Sequence, residues 1–143
     1  MTSRTAAGAA LAVLLSLGLT ACGSDSHADD AAKATTHACR SFVLVGGADA
    51  DQLAKELQAV LADTGGYNAE DVTARVLAIR AAATTAGLIE YLPKKDFRMF
   101  AALVDATLAA ETAVKAEADS SSSLAPAIGA YNRAVQAVDA RCR

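Results

Sequence analysis

The clearest pattern in the chain lies near its C-terminus, where apolar residues recur at the spacing of a helix. The residues that share this spacing are Leu124, Ile128, Tyr131, Val135, Val138 and Cys142. Residues three and four positions apart lie on one face of an α-helix. Ser123 precedes them as a candidate N-cap, and Pro126 falls in the first turn, where proline is tolerated. The pattern predicts a C-terminal helix that turns Cys142 inward.

The same reasoning predicts a first helix from about Asp29 to Val45. Cys39, Phe42 and Val43 fall on one of its faces. Gly46-Gly47 follows and, because glycine commonly ends helices, is expected to stop it.

A second helix is predicted after Asp49 and a third after Asn68. Gly65-Gly66 separates them, and Asn68 is a good N-cap residue. The apolar stripe of the third helix becomes irregular near Thr85–Gly87, which indicates a kink or short break before Pro93. Beyond that break, the expected core contacts are Leu88, Ile89 and Leu92.

A fourth helix is predicted from Lys95 or Asp96 to the serine run at 120–123. The residues expected to face the core are Phe97, Phe100, Val104 and Leu108. The serine run is interpreted as a loop because it leads into the N-cap of the last helix.

Composition supports this helical interpretation. The 143 residues are 53% hydrophobic and 4% aromatic, without tryptophan, and alanine is abundant. Alanine is the best helix former, and the length suits one modest domain. We therefore predict an all-α, alanine-rich, up-and-down bundle of about five helices, cross-linked by one disulfide. The net charge of −3 lacks the basic excess typical of nucleic-acid-binding domains.

Residues 1–21 have the features of an export signal. Arg4 supplies positive charge, an apolar run extends from Ala6 to Leu19, and Leu19-Thr20-Ala21-Cys22 follows. These last four residues resemble the lipobox of bacterial lipoproteins. In that family the cysteine thiol receives a diacylglycerol and a peptidase cleaves before the cysteine. The alternative is an ordinary signal peptide that leaves Cys22 as a free thiol.

The lipoprotein resemblance implies a signal peptide at 1–21, a lipid on Cys22 and attachment to the extracytoplasmic face of the cell membrane. Residues 22–28 are small and polar, so we expect a flexible tether, with the helical domain at 29–143. The Cys-Gly-Ser-Asp opening and the alanine content are similar to those of actinobacterial lipoproteins. The resemblance covers only the signal and the tether.

Lipidation of Cys22 would leave two thiols, Cys39 and Cys142. In an oxidising compartment an even number favours a disulfide. A metal pair or a reactive thiol is the alternative, but zinc sites usually need four ligands and no Cys-x-x-Cys motif is present. Closing a loop of about 100 residues is expected to stabilise the fold by ~4–5 kcal/mol.

Helix parity gives a prediction about the two ends of the bundle. In an up-and-down bundle of five helices the first and fifth run parallel, which brings the ends that carry Cys39 and Cys142 together. A basic contact patch is then expected at the end away from the lipid. Its members are Arg40, Lys94, Lys95, Arg98 and Arg141, with Arg143 beside them. The alternative is that these are ordinary solvated charges at helix ends.

Motifs for catalysis are not found in the sequence. The chain has two histidines and neither a Glu-x-x-His nor a His-Glu-x-x-His motif, and its glycine pairs lack phosphate-loop spacing. We therefore predict no enzyme, no cofactor and no metal. The leading function is a lipid-anchored module acting by contact with an envelope protein or wall polymer. The alternative is a carrier that holds a small apolar ligand between helices.

Overall fold

The computed structural model describes residues 25–62, 68–116 and 123–143. All regular elements in these ranges are helical, which confirms the all-α prediction. They are α1 (Asp25–Phe42), a π-helical segment (Val43–Gly47), α2 (Ala48–Leu61), α3 (Ala69–Gly87), α4 (Lys94–Ala116) and α5 (Leu124–Cys142).

The described residues form four continuous helices, so the prediction of five was wrong. α1, the π segment and α2 make one helical rod, hereafter the first rod, because Gly46-Gly47 does not stop the chain. A glycine that ends a helix usually has positive φ, whereas Gly47 is helical at φ −63° and ψ −44°. Gly46 is buried, and a Cβ placed on it would lie 2.7 Å from the Ala82 Cβ. Because Gly46 has no side chain, the first rod can pack closely against α3 at this point.

Other helix boundaries follow local chemistry. The Asn68 side chain accepts a 2.9 Å hydrogen bond from the Glu70 amide, which confirms the predicted N-cap of α3. α3 ends at Gly87, inside the segment where a break was expected. α1 begins at Asp25, earlier than the predicted Asp29, because neither glycine nor proline interrupts the chain between them.

Neighbouring helices run antiparallel around one core. Arg75 of α3 bonds Glu56, Thr73 bonds Glu111 of α4, and Tyr131 of α5 bonds Ala50. The first rod and α5 touch through Cys39–Cys142 and through Ala50–Tyr131, so residue numbers rise along one helix as they fall along the other. The bundle is therefore up-and-down, and its first and last helices are antiparallel.

Apolar side chains from every helix fill the centre of the bundle. The largest fully buried ones include Tyr131, Phe100, Leu53, Leu57 and Ile79. Between them lie buried alanines, which let the helices approach closely: Ala38, Ala50, Ala82, Ala83, Ala86, Ala110 and Ala113. All five predicted core residues from Leu124 to Val138 on α5 are buried.

Cys39 and Cys142 form the predicted disulfide, with their Cα atoms 5.0 Å apart. The parity argument for it was nevertheless wrong, because the two helices are antiparallel. The bond forms because Cys39 lies midway along the first rod, level with the end of the shorter α5. None of the described helices combines the length and apolarity needed to cross a bilayer.

Candidate contact surface

The beginning of α1, the connection 88–93, the beginning of α4 and the end of α5 lie at one end of the bundle, hereafter the basic pole. Asp30 of α1 and Tyr91 of the connection line the same groove. Asp96 at the start of α4 bonds both Thr35 of α1 and Arg141 of α5. Lys94, Lys95, Arg98 and Arg141 thus lie toward the end where α1 begins, not at the opposite end, and Arg40 lies beside Arg141 near the middle of the first rod. The reason is that the first two predicted helices are one rod. The chain therefore reverses direction one time fewer than predicted, and each later helix runs in the opposite direction to the predicted one.

Asp96 joins three helices at this pole. Its side chain accepts a 2.6 Å hydrogen bond from Thr35 Oγ1 and bonds of 2.9 and 3.0 Å from Arg141 Nε and Nη2. Such two-pronged arginine–carboxylate contacts are among the stronger polar interactions in proteins. The residue is only 2% exposed. The Arg141 hydrogen bonds lower the pKa of Asp96 and Thr35 lowers it further, while burial opposes both.

Arg40 and Arg141 of the predicted patch lie beside the disulfide. Together with Thr36, Cys39 and Cys142 they line a groove of about 480 Å³ between α1 and α5. Arg141 is largely neutralised by Asp96. Arg40 is exposed at the surface of the groove.

The remaining patch residues lie on the first turns of α4. Lys94, Lys95 and Arg98 are exposed, and none forms an ion pair within the described ranges. Arg98 follows Lys94 and Lys95 by four and three residues, so the three side chains share one side of the helix. This basic strip meets the Arg40–Arg141 groove at Asp96, whose pKa the neighbouring Lys95 also lowers.

Apolar side chains are exposed at the same pole, contrary to the sequence prediction. Leu88 and Phe97 were expected in the core, yet Leu88 is 76% exposed and Phe97 is exposed beside it. Both line an open groove of about 200 Å³ between α3 and α4. Helical spacing missed this because α3 ends at Gly87, so Leu88 is no longer in phase with the stripe of α3.

Tyr91, in the connection between α3 and α4, is also exposed at this pole. It is 61% exposed and adopts a positive φ of 64°, a conformation that costs a side-chain-bearing residue energy. The adjacent Glu90 carboxylate raises the pKa of the Tyr91 phenol, by hydrogen bonding and by its negative charge. No pattern in the sequence predicted a strained residue here.

A second exposed apolar group lies on the π segment, at the middle of the first rod. Val43, Leu44 and Val45 are all exposed, Leu44 by 78%. They form the apolar strip of the rod. Val43 had been expected on the buried face, but the extra residue of the π turn changes the phase of the helix.

Other polar side chains also pair within the bundle, although Glu56 Oε2 and Arg80 Nε are buried without a hydrogen-bond partner in the described part of the chain. Arg75 lies between Asp49 and Glu56 at 3.2 and 3.1 Å. The buried Tyr131 hydroxyl donates to the Ala50 carbonyl, and burial raises the pKa of this phenol. Among the residues that the structure describes, no three histidine, cysteine or acidic side chains come together as a metal site.

Comparison with known proteins identifies no relative: no protein family, no curated protein and no solved structure matches this chain. Its function is therefore inferred from the residues themselves.

Proposed function

We propose that the protein is a lipid-anchored, non-catalytic helical module of the cell envelope that works by contact with another envelope component. The anchor is the diacylglycerol that the lipobox resemblance implies on Cys22. The contact surface is the apolar strip of Val43, Leu44 and Val45. The exposure of these three consecutive residues is the observation that carries the proposal.

The strip is suited to a protein partner. Three adjacent exposed apolar side chains gain free energy when another apolar surface covers them. Wall polymers are rich in hydroxyl groups and offer less apolar area. The strip is also held on a rigid base, because Gly46 packs its backbone directly against α3 at Ala82. A preformed surface of this kind loses little conformational entropy on binding.

A carrier of a small apolar ligand receives less support. Such a carrier needs room between its helices. Here Tyr131, Phe100 and Leu53 fill that space, and the groove beside Phe97 opens outward to solvent. Native mass spectrometry of the purified protein distinguishes the two functions: a retained apolar molecule of constant mass would favour the carrier.

The anchor is tested on the full chain expressed in a bacterium that processes lipoproteins. Mass spectrometry of the N-terminal peptide should find Cys22 as the first residue, carrying a diacylglycerol. Cys22→Ala should remain unprocessed, since the family's lipid-bearing sulfur is gone. A mature chain that begins elsewhere, with an unmodified Cys22 thiol, would contradict the anchor.

The contact is tested by placing a photo-crosslinking amino acid at position 44 in intact cells. The matched control carries the same group at Gln136, an exposed position on α5. We expect one discrete protein adduct at position 44, and its loss when Val45→Asp is added. Equal adducts at both positions, or an adduct insensitive to Val45→Asp, would contradict a specific contact at the strip.

A further inference from the structure

We infer that the basic pole docks on the anionic surface of the membrane, with Lys94, Lys95 and Arg98 against lipid phosphates and Leu88, Tyr91 and Phe97 in the headgroup layer. This inference rests on the proposed anchor at Cys22. It goes beyond the anchor because it fixes which face of the domain touches the bilayer.

Chain length keeps this pole near the membrane. Three residue steps separate Cys22 from Asp25, the first residue of α1, and they span at most about 10 Å. From Asp25 to Asp30, which is level with Tyr91, the helix rises only about 8 Å. The connection 88–93 is therefore within reach of the lipid headgroups. The other end of the first rod, at Leu61, lies about 45 Å farther along the helix.

Charge selects the side of the pole that faces the lipid. Lys94, Lys95 and Arg98 are exposed on α4, and the acid among them, Asp96, is buried and paired with Arg141. Clusters of basic residues near an anionic bilayer are attracted to it. The first turns of α1 carry Asp29 and Asp30 instead. The bundle is therefore expected to tilt so that the beginning of α4 turns its basic side chains toward the lipid phosphates.

The exposed apolar side chains suit the same surface. Leu88 and Phe97 line one open groove, and Tyr91 projects from the connection between their helices. Tyrosine is favoured at the membrane–water interface because its ring is apolar and its hydroxyl is polar. The positive φ of Tyr91 is a local cost that a functional contact would explain.

Tryptophan fluorescence provides a direct test, since the chain contains no tryptophan. The full lipidated protein is prepared with Tyr91→Trp, or with Leu61→Trp as the far-end control. Each is reconstituted into vesicles of three parts phosphatidylcholine to one part phosphatidylglycerol, and into phosphatidylcholine alone, with brominated lipids as quenchers. We expect strong quenching at position 91 in the anionic vesicles, much weaker quenching at 91 in the neutral ones, and none at position 61.

Charge reversal tests the basic strip while the anchor stays in place. Lys94→Glu with Lys95→Glu, in the Tyr91→Trp protein, should lower the docked population by about tenfold or more. The matched control, Lys55→Glu with Arg133→Glu, makes the same change in net charge at exposed positions away from the pole and should leave quenching unchanged. Circular dichroism of both pairs checks that the helices remain folded.

The outcomes separate this inference from the proposed function. A lipid on Cys22 with equal quenching at positions 91 and 61 would overturn the docking and leave the anchor intact. Quenching at 91 that ignores lipid charge, or that responds equally to both charge reversals, would overturn the role of the basic strip. An unmodified Cys22 would overturn the anchor, while charge-dependent quenching at 91 would still support the docking surface.

Discussion

Gly46 offers a sharp test of how closely the first rod approaches α3. Replacing it with alanine would place a new Cβ 2.7 Å from the Ala82 Cβ and 3.3 Å from the Phe42 ring. Ordinary contact begins near 3.4 Å, so the two helices must separate by about 0.7 Å. Neither the Ala82 methyl nor the backbone near Ile79 can rotate away.

The expected net effect is a loss of stability. Overpacking a buried contact costs about 1–3 kcal/mol, whereas alanine in a helix gains only ~0.5–1 kcal/mol over glycine. Gly46→Ala should therefore lower the free energy of unfolding by up to about 2.5 kcal/mol. The neighbouring Gly47→Ala is the matched control: its Cβ would meet Val43 at an ordinary 3.8 Å. Gly47→Ala should therefore raise the free energy of unfolding by about 0.5–1 kcal/mol.

Urea denaturation followed by circular dichroism measures both variants. Adding Ala82→Gly to Gly46→Ala removes the clashing methyl, so the double-mutant cycle should show a favourable coupling of about 1 kcal/mol or more. If Gly46→Ala proves as stable as Gly47→Ala, the first rod does not approach α3 closely at Gly46, and this glycine has no packing role.

Three further predictions concern the basic pole and its cross-link. Replacing Cys39 and Cys142 with alanine should cost ~4.7 kcal/mol in the chain-entropy account, measured by denaturant unfolding, since the bond closes a loop of 103 residues; a loss below 1 kcal/mol would refute that account. Because the folded pKa of Asp96 is below its ordinary 3.8, the carboxylate stabilises the fold above that pH and loses its effect as pH falls. Asp96→Asn should therefore lower the free energy of unfolding at neutral pH by about 1–3 kcal/mol. The stability of this variant should also fall less steeply as the pH is lowered below 3.8, and an acid dependence identical to that of the original protein would contradict this. Tyr91→Gly should remove the cost of the positive φ and raise the free energy of unfolding, measured with denaturant, by up to ~1 kcal/mol. Tyr91→Ala keeps a side chain at this φ and should not raise it, so equal effects of the two substitutions would exclude relief of backbone strain.

The sequence was sufficient for features that local rules control. The regular apolar spacing of α5 predicted its buried residues from Leu124 to Val138. The asparagine at position 68 predicted the N-cap of α3. Cysteine number, together with the expectation of export, predicted the Cys39–Cys142 disulfide.

Features that depend on the approach of distant segments could not be predicted in this way. Gly46 looks like a helix stop until Ala82 is found against it. The error added a fifth helix to the predicted bundle, so the later helices were predicted to run in the wrong direction and the basic pole was placed at the wrong end. Asp96 looks like a helix-start acid, yet its partners Thr35 and Arg141 are 61 and 45 residues away.

The position of the Cys39–Cys142 bond has a consequence for maturation. If the chain is exported as proposed, Cys39 emerges 103 residues before its partner, and until α5 follows, the nearest other thiol in the chain is Cys22. A wrong pairing of these two sulfurs would tie the beginning of α1 back on itself. A thioether at Cys22, as proposed, would remove that competitor, because a sulfur bound to carbon cannot take part in thiol exchange. Lipid attachment would then also direct oxidation toward the correct partner.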